Sequence, residues 1–239
     1  MGRYNLYQVC LNAWCVYMFV QQIVLTCSAK GIRNPWHLRV EDTSHAVGYL
    51  IWVHYNNKFV ELLDTIFMVL NKKDEQISFL HVYHHVLLVW SWWAVCRFGG
   101  AGGVAWFSAC FNSFVHVLMY AYYMLAAMKV TCPWKRKLTQ IQMCQFVMCM
   151  SSAFYGMWHG LYPLGLSLLN VFVMGNMVVL FWKFYQKRYQ TGKPAAPPSD
   201  ASKATILSVA TAATGVESAS SAVARYAFPL VSTVIRLDT

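Results

Sequence analysis

The chain has 239 residues, of which 58% are hydrophobic and only 12% are charged. Soluble domains usually carry about twice that charged fraction, so the composition argues against a soluble globular protein. The formal net charge of +10 could indicate a nucleic-acid partner. However, the basic residues lie in short loops between apolar segments, which is typical of membrane proteins. The eight cysteines include no C-x-x-C pair, so we interpret them as small packing residues and not as a disulfide framework or a zinc site.

Six charge-poor segments are each long enough to cross a bilayer, which takes about 20 helical residues. They predict an all-α polytopic membrane protein in which residues 1–190 form one bundle of about six transmembrane helices. The predicted spans are 5–27, 46–70, 78–97, 103–128, 139–160 and 164–186. Residues 191–239 begin with a stretch rich in Ala, Ser, Thr, Gly and Pro, which predicts a flexible, low-complexity cytosolic tail. No cleavable signal peptide is expected at the N-terminus.

Lysine and arginine residues in the loops predict the orientation of the bundle. Placing the C-terminus in the cytosol puts most of them on the cytosolic side, where membrane proteins concentrate positive charge. The basic residues in the two cytosolic loops include Lys72, Lys73, Lys135, Arg136 and Lys137.

The third predicted span opens with an H-x-x-H-H group formed by His81, His84 and His85. Helix positions i, i+3 and i+4 share one face, so three imidazoles are predicted to line one stripe. Ionisable groups inside a membrane segment are costly, and we therefore interpret the three histidines as functional. The alternative is that they only hydrogen-bond neighbouring helices. We would prefer that alternative for a single histidine, but not for three beside other polar groups.

Three further spans carry polar residues at overlapping depths, given a helical rise of ~1.5 Å per residue. These residues are Lys58, Glu61, Asp64 and Thr65 in the second span, Asn112, His116, Tyr120 and Tyr123 in the fourth, and Gln142 and Gln145 in the fifth. A membrane interior tolerates them only where they face one another or a wet cavity. We therefore predict one polar pocket that opens to the cytosol, where the loop cations suit a phosphate-bearing head group. We expect apolar side chains to line its continuation towards the far leaflet, which suits a lipid tail.

Other polar and aromatic residues are assigned no part in this pocket. We interpret four histidines as structural: His37, His45, His54 and His159. Five aromatic residues are expected either to close the far end of the tunnel or to lie at the membrane interface: Trp90, Trp92, Trp93, Trp106 and Phe107.

At these motifs the sequence resembles the very-long-chain fatty acid elongases, the membrane 3-ketoacyl-CoA synthases. The matching blocks are Lys58-Phe-Val-Glu61-Leu-Leu-Asp64-Thr65, His81-Val-Tyr-His84-His85, Asn112-x-x-x-His116-x-x-Met119-Tyr120-x-Tyr122-Tyr123 and Thr139-Gln140-x-Gln142-x-x-Gln145-Phe146. They occur in the family order and cover about residues 1–190.

Gln76 and Tyr83 resemble the branch that acts on polyunsaturated substrates. The family has seven spans, and this chain is expected to begin at the second. Asn71 stands where the family usually has Arg, and the C-terminal dilysine signal is missing.

The resemblance implies that acyl-CoA condenses with malonyl-CoA in the endoplasmic reticulum membrane. The products would be CoA, CO2 and a 3-ketoacyl-CoA two carbons longer. No bound cofactor is expected. The expected partners are the two CoA substrates, the bilayer, and the ketoacyl reductase, dehydratase and enoyl reductase that complete the cycle.

The resemblance also implies roles for individual residues. His84 would take the acyl group, within a catalytic set that includes His81 and His85, and His116 would transfer a proton or handle the malonyl unit. Glu61 or Asp64 would orient an imidazole. Lys58 would pair with these carboxylates or bind a carbonyl oxygen, and Asn112 would support the site. The expected donors to the oxyanion are Tyr120, Tyr123, Gln142 and Gln145. The residues expected to bind CoA are Lys72, Lys73, Lys135, Arg136 and Lys137.

Three alternatives remain open from the sequence. The first is a metal enzyme, because membrane di-iron desaturases and hydroxylases also contain H-x-x-H-H groups. That class has about eight histidines in several boxes, whereas this pocket offers four, which could still hold one zinc ion. The second is a non-enzymatic lipid carrier, transporter or receptor, which would not need a histidine box beside a carboxylate stripe. The third is an inactive structural relative.

Overall fold

The computed structural model describes residues 1–99 and 104–190. The predicted tail, 191–239, lies outside the described residues. The described part is all-α, as predicted, and has no strand. Its helices are α1 (Gly2–Lys30), α2 (His45–Glu61), α3 (Leu63–Leu70), α4 (Phe79–Phe98), α5 (Ala105–Ala127), α6 (Lys135–Trp158) and α7 (Leu164–Tyr185).

The second predicted span, 46–70, is divided in the structure. Helix α2 ends at Glu61, and α3 begins at Leu63. Between them the backbone N–H of Leu62 donates to the carbonyl oxygen of Phe59 at 3.1 Å, which is a tighter turn than that of an α-helix. Such local tightening often accompanies a functional position. Here it falls immediately after Glu61.

The fifth predicted span, 139–160, begins four residues too late. Helix α6 starts at Lys135, so Lys135, Arg136 and Lys137 form its first turn and are not loop residues. The prediction from hydropathy started the span after the last basic residue of the loop, Lys137. In the structure the backbone continues as a helix through an exposed turn.

The six long segments, with α2 and α3 taken together, close a ring. Helix α1 contacts α2, α2 contacts α4, α4 contacts α7, α7 contacts α6, α6 contacts α5, and α5 contacts α1. Successive segments run in opposite directions, so the connections lie at two ends. We call the end with connections 71–78 and 128–134 the basic end, and the end with connections 31–44 and 159–163 the opposite end.

The bundle buries polar side chains and exposes large apolar ones. Helix α1 shows this most clearly, because Asn5, Gln8 and Asn12 are buried whereas Tyr17 and Val24 are more than half exposed. This arrangement suits a bundle that is surrounded by lipid and has a polar interior. Within residues 1–99 and 104–190, three helices can cross a membrane by length and composition: Gly2–Lys30, Ala105–Ala127 and Leu164–Tyr189. The protein is a multi-pass membrane protein.

At the opposite end the connection 31–44 is attached to α6. Both Asn34 Nδ2 and His37 Nδ1 lie within hydrogen-bond distance of the Tyr155 hydroxyl, at 3.2 and 2.6 Å. The rings of His37 and His159 lie 4.7 Å apart. Both histidines therefore lie far along the bundle from the histidine box, and their contacts hold a loop to a helix.

The same connection is also closed by an ion pair. Lys30 Nζ lies 3.0 Å from Asp42 Oδ1, and the backbone N–H of Arg39 donates to Asp42 Oδ2 at 3.1 Å. The hydrogen bond from Lys30, followed by the one from Arg39, lowers the pKa of the Asp42 carboxyl below its ordinary value. This stabilisation is present at neutral pH and is lost as the pH falls through the lowered pKa.

We expect Gly99→Ala to destabilise the protein. A Cβ at Gly99 would overlap the Tyr162 hydroxyl and lie 2.7 Å from the backbone oxygen of Val95, which cannot move aside. Overpacking of this kind costs about 1–3 kcal/mol. Thermal unfolding in detergent should show a lower melting temperature.

Gly175→Ala is the matched control, because a Cβ there meets nothing within 4 Å. A glycine-to-alanine change inside a helix is neutral or stabilising by up to about 1 kcal/mol. Equal melting temperatures for Gly99→Ala and the wild type would contradict the close contact between Gly99 and Tyr162.

Candidate functional site

A buried ion pair lies at the centre of the polar interior. Lys58 and Glu61 are 1% and 0% exposed, and they share a face of α2 because they are three positions apart. Lys58 Nζ donates to Glu61 Oε1 at 2.8 Å and to Oε2 at 3.1 Å. It also donates to Asn112 Oδ1 on α5 at 2.8 Å. An unpaired charge at this depth would cost several kcal/mol, so each charge makes the burial of the other possible.

Glu61 also faces His116 and Asn57. His116 Nδ1 lies 3.1 Å from Glu61 Oε1, although the two atoms lack the alignment of a hydrogen bond. Asn57 Nδ2 donates to the same oxygen at 3.1 Å and to Gln8 Oε1 at 3.0 Å. Of the two carboxylates that the sequence left open as partners of an imidazole, Glu61 is the one beside His116.

Asp64 has a different partner. The Tyr120 hydroxyl donates to Asp64 Oδ2 at 2.6 Å, and Tyr120 is fully buried. The hydroxyl hydrogen of Tyr120 is therefore engaged and is not free for an oxyanion. The Tyr123 ring packs edge-on against Tyr120 with centroids 5.8 Å apart, and Gln142 Nε2 points to the sulfur of Met119 at 3.7 Å.

The three histidines of the box have different surroundings. His81 Nε2 lies 2.8 Å from the Thr65 hydroxyl. The buried ring of His85 packs against His81 and His84, with centroids 4.5 and 5.3 Å away. His84 is half-buried and its ring lies 6.1 Å from that of Phe181 on α7. Among the described residues, neither ring nitrogen of His84 has a hydrogen-bond partner.

The position of the box on α4 is determined by a helix cap. Ser78 precedes α4, and its Oγ accepts a hydrogen bond from the backbone N–H of His81 at 3.2 Å. A serine in this position stabilises a helix start by about 1 kcal/mol. The box therefore occupies the first two turns of α4, near the basic end.

A cavity of about 50 Å3 begins one helical turn beyond the histidine box, between α4, α5, α6 and α7. Its walls on α4 are Leu88, Ser91, Trp92 and Val95. These positions continue the face that carries His84, because they follow it at spacings of three and four. Asn112 on α5 and Gln145 on α6 are the wall residues of those helices nearest the basic end.

The wall of this cavity is mostly apolar, as expected, but it also includes the polar residues Ser91, Ser108, Tyr162, Ser167 and Asn170. The five aromatic residues were expected either to close the far end of the tunnel or to lie at the membrane interface, and of these five Trp92 lines the cavity. Trp90 and Trp93 are exposed, and Trp106 and Phe107 pack against Trp36. Aromatic residues close in sequence lie on different faces of a helix, so residue type alone does not tell which of them face the cavity.

The five predicted CoA-binding residues are all exposed at the basic end. They are Lys72, Lys73, Lys135, Arg136 and Lys137. Arg136 Nε donates to the Tyr185 hydroxyl at 2.8 Å, and its guanidinium lies 5.6 Å above the Tyr185 ring. This contact holds Arg136 against α7.

The sequence reasoning missed the contribution of α1. Gln8 is fully buried; its Oε1 accepts from Asn57, and also from Asn12 Nδ2 at 3.2 Å. The Tyr4 hydroxyl donates to the carbonyl oxygen of Val60 at 3.2 Å. The spacing of Asn5, Gln8 and Asn12 in an apolar helix was the available signal, since a polar stripe in a membrane segment faces the interior.

His54 lies within the bundle but outside this network. Its Nδ1 lies 3.1 Å from Ser113 Oγ, and its ring packs on Trp92 at 4.6 Å. In the described ranges, 1–99 and 104–190, no three His, Cys, Asp or Glu side chains are placed so that they could together hold a metal ion.

Comparisons with known proteins identify relatives along most of the described chain. The family model described as "ELO: GNS1/SUR4 family" matches residues 1–197. "Fatty acid elongase 5" of Leishmania major is 42% identical over 59% of this chain and 57% of its own length. "Very long chain fatty acid elongase 5" of Tachysurus fulvidraco is 34% identical over 82% of this chain and 68% of its own. "Very long chain fatty acid elongase 7" of Rattus norvegicus is 38% identical over 62% and 53%. The chain thus spans little more than half the length of the Leishmania and rat proteins.

We expect Lys58→Met to destabilise the protein strongly, because it leaves the Glu61 carboxylate buried without its cation. Removing one partner of a buried ion pair costs about 3–5 kcal/mol. Unfolding in detergent should occur at a markedly lower temperature.

The double variant Lys58→Met/Glu61→Gln should recover most of that loss, because it removes the stranded charge. Lys183→Met, at an exposed position on α7, should have little effect. A Lys58→Met protein as stable as the double variant would show that Glu61 does not depend on Lys58.

Proposed function

The chain belongs to the ELO (GNS1/SUR4) family, as its resemblance predicted, and we propose that it catalyses the condensation step of fatty acid elongation. Acyl-CoA and malonyl-CoA would yield a 3-ketoacyl-CoA two carbons longer. The named relatives are fatty acid elongases, which supports this activity. The observation that carries the residue roles is that the cavity-wall residues of α4 follow His84 at helical spacings of three and four.

In the first half-reaction His84 is the nucleophile. A ring nitrogen attacks the thioester carbonyl carbon, the C–S bond breaks, and the proton released by the ring passes to the departing CoA thiolate. Neutral imidazole suits this step because its ordinary pKa lies near neutrality. Two features support His84 over His81: its ring nitrogens have no partner among the described residues, whereas His81 Nε2 contacts Thr65 at 2.8 Å.

In the second half-reaction malonyl-CoA loses CO2, and the resulting enolate attacks the acyl carbon. The C–N bond to His84 breaks, and the ring takes up one proton. His116 is the residue that we assign to proton transfer or to the malonyl unit. Its position beside Glu61, 3.1 Å away, supports a role for that carboxylate in orienting the imidazole.

The developing oxyanion needs donors close to the acyl carbon. Gln145 is the best supported, because it is buried and lines the cavity at the end near the box. Asn112 also lines that end, and its Oδ1 accepts from Lys58. Tyr120 is less suited, since its hydroxyl donates to Asp64.

The proposal also covers CoA binding, the location of the protein, its partner enzymes and its preferred substrate. In this proposal the exposed cations at the basic end contact the CoA phosphates, that end faces the cytosol, and the protein lies in the endoplasmic reticulum membrane. The reaction needs no bound cofactor, and its product requires the ketoacyl reductase, dehydratase and enoyl reductase of the cycle. Gln76 and Tyr83 favour a polyunsaturated substrate. Tyr83 stacks on Phe79 at 5.4 Å, in the first turn and a half of α4.

Condensation should be measured in membranes from a host that lacks its own elongases. Labelled malonyl-CoA is supplied with saturated and polyunsaturated acyl-CoAs. Wild type should incorporate label into a product two carbons longer, whereas His84→Ala should show none, because no acyl-enzyme can form. His84→Ala should also fail to retain labelled acyl groups that hydroxylamine releases from the wild type.

His45→Ala is the matched control, since His45 is exposed at the start of α2 and should leave incorporation unchanged. Retained condensation in His84→Ala would remove His84 from the mechanism. Loss of wild-type activity on chelation, restored by zinc or iron, would favour the metal alternative. A wild type that binds acyl-CoA without extending it would favour a carrier.

The two carboxylates should differ in their effect on catalysis. Glu61→Gln should lower kcat by about 10²- to 10⁴-fold, because it removes the charge beside His116. Asp64→Asn retains an oxygen that can accept from Tyr120, and it should lower kcat by less than about 10-fold. Rates are normalised to folded protein. The reverse order would assign the orienting role to Asp64.

A further inference from the structure

Three buried polar atoms that line the cavity have no hydrogen-bond partner among the described residues. They are the Tyr162 hydroxyl, Ser167 Oγ and Asn170 Oδ1. Tyr162 is 9% exposed and Ser167 is 1% exposed. Leaving a buried polar atom unpaired costs about 1–3 kcal/mol. Three such atoms around one cavity indicate that its occupant pairs with them.

The three atoms form one polar patch. Ser167 and Asn170 share a face of α7 because they are three positions apart, and Tyr162 lies in the turn before that helix. Asn170 Nδ2 donates to Ser108 Oγ on α5 at 3.4 Å, which leaves Oδ1 as the unpaired end of the amide. The patch therefore combines two hydroxyl groups with an oxygen that can only accept.

The distance of the patch from the acyl site follows from α7. Phe181 contacts the His84 ring, and Asn170 and Ser167 lie roughly 16 and 21 Å further along the helix at 1.5 Å per residue. Three bonds of an extended chain span at most about 3.6 Å, or roughly 1.2 Å per bond. The patch thus corresponds to a position roughly 13 to 17 carbons from the thioester.

We propose that the cavity takes acyl chains that carry a hydroxyl group near the methyl end. A hydroxyl group both donates and accepts, so it can donate to Asn170 Oδ1 and accept from Tyr162 or Ser167. A saturated hydrocarbon leaves all three atoms unpaired, and a double bond offers only a weak acceptor. This inference rests on the proposed function, because it names the substrate class of the same site.

Water is the competing occupant. The cavity has room for about three to five water molecules, since each needs about 10–15 Å3 of such volume. Water can donate and accept hydrogen bonds as an alcohol can. An acyl chain must displace that water and move side chains apart to enter. A distal hydroxyl group replaces the lost hydrogen bonds, whereas a methylene chain does not.

The test compares three acyl-CoAs of equal length in the membrane condensation assay. They are stearoyl-CoA, 2-hydroxystearoyl-CoA, and a stearoyl chain hydroxylated roughly 15 carbons from the thioester. Wild type should prefer the distal hydroxyl over stearoyl-CoA by about 3- to 10-fold in kcat/KM, the effect of one hydrogen bond. The 2-hydroxyl compound should show no such preference, because its hydroxyl lies near His84.

Tyr162→Phe and Ser167→Ala each remove one unpaired atom with little change of shape. Each should reduce the preference ratio towards one. Their melting temperatures without substrate should be unchanged or higher, because an unpaired buried group is lost. Tyr49→Phe and Ser151→Ala, at exposed positions, are the matched controls and should leave both the ratio and the activity unchanged.

Binding provides a second measurement that does not depend on turnover. In His84→Ala the distally hydroxylated acyl-CoA should raise the melting temperature more than stearoyl-CoA does. Equal shifts, together with equal kcat/KM values in the wild type, would show that water satisfies the patch and would overturn this inference while leaving the elongase function intact. Failure to extend any acyl-CoA would instead overturn the proposed function, and the melting shifts would still decide the inference.

Discussion

The buried pair of Lys58 and Glu61 is the constraint on which the polar interior depends. Neither charge would be stable in this interior without the other. The pair also needs hydrogen bonds from neighbouring residues to its remaining N–H groups and oxygen lone pairs. Asn112, Asn57 and His116 are the groups in contact with it. Because these residues come from α2 and α5, and Asn57 in turn contacts Gln8 of α1, the pair ties three helices together at one depth.

The closed ring of helices separates two tasks. Near the basic end the interior is charged and hydrogen-bonded, which suits acyl transfer and proton movement. Beyond the histidine box the interior becomes a narrow cavity between α4, α5, α6 and α7. His84 lies where the two regions meet, since its ring contacts His85 on one side and Phe181 on the other. Under the proposed mechanism, an acyl group attached to His84 extends along the cavity while the CoA remains at the basic end.

Much of the fold was predictable because membrane helices obey two local rules. An apolar run of about 20 residues indicates a span, and a polar residue every three or four positions indicates an inward face. These rules predicted six segments and the stripes that hold Lys58, His84 and His116. They missed the break at Leu62 and the start of α6 at Lys135, because hydropathy does not report backbone conformation. They also missed Gln8, since the amide residues of the first span were not considered.

The sequence by itself determined the helical class, the membrane setting and the set of polar residues that must share an interior, because each depends on composition and local spacing. The family followed from the resemblance of four motif blocks. Only the tertiary structure decided which of these residues meet. It brought Glu61 to His116 and Asp64 to Tyr120, although both carboxylates occupy one stripe of the sequence. It also placed Tyr162, Ser167 and Asn170 in the wall of the cavity, which had been expected to be apolar and is mostly so. Such pairings depend on how the inward faces of neighbouring helices are turned and shifted against one another, which is set by packing between helices and does not follow from the spacing of one helix alone.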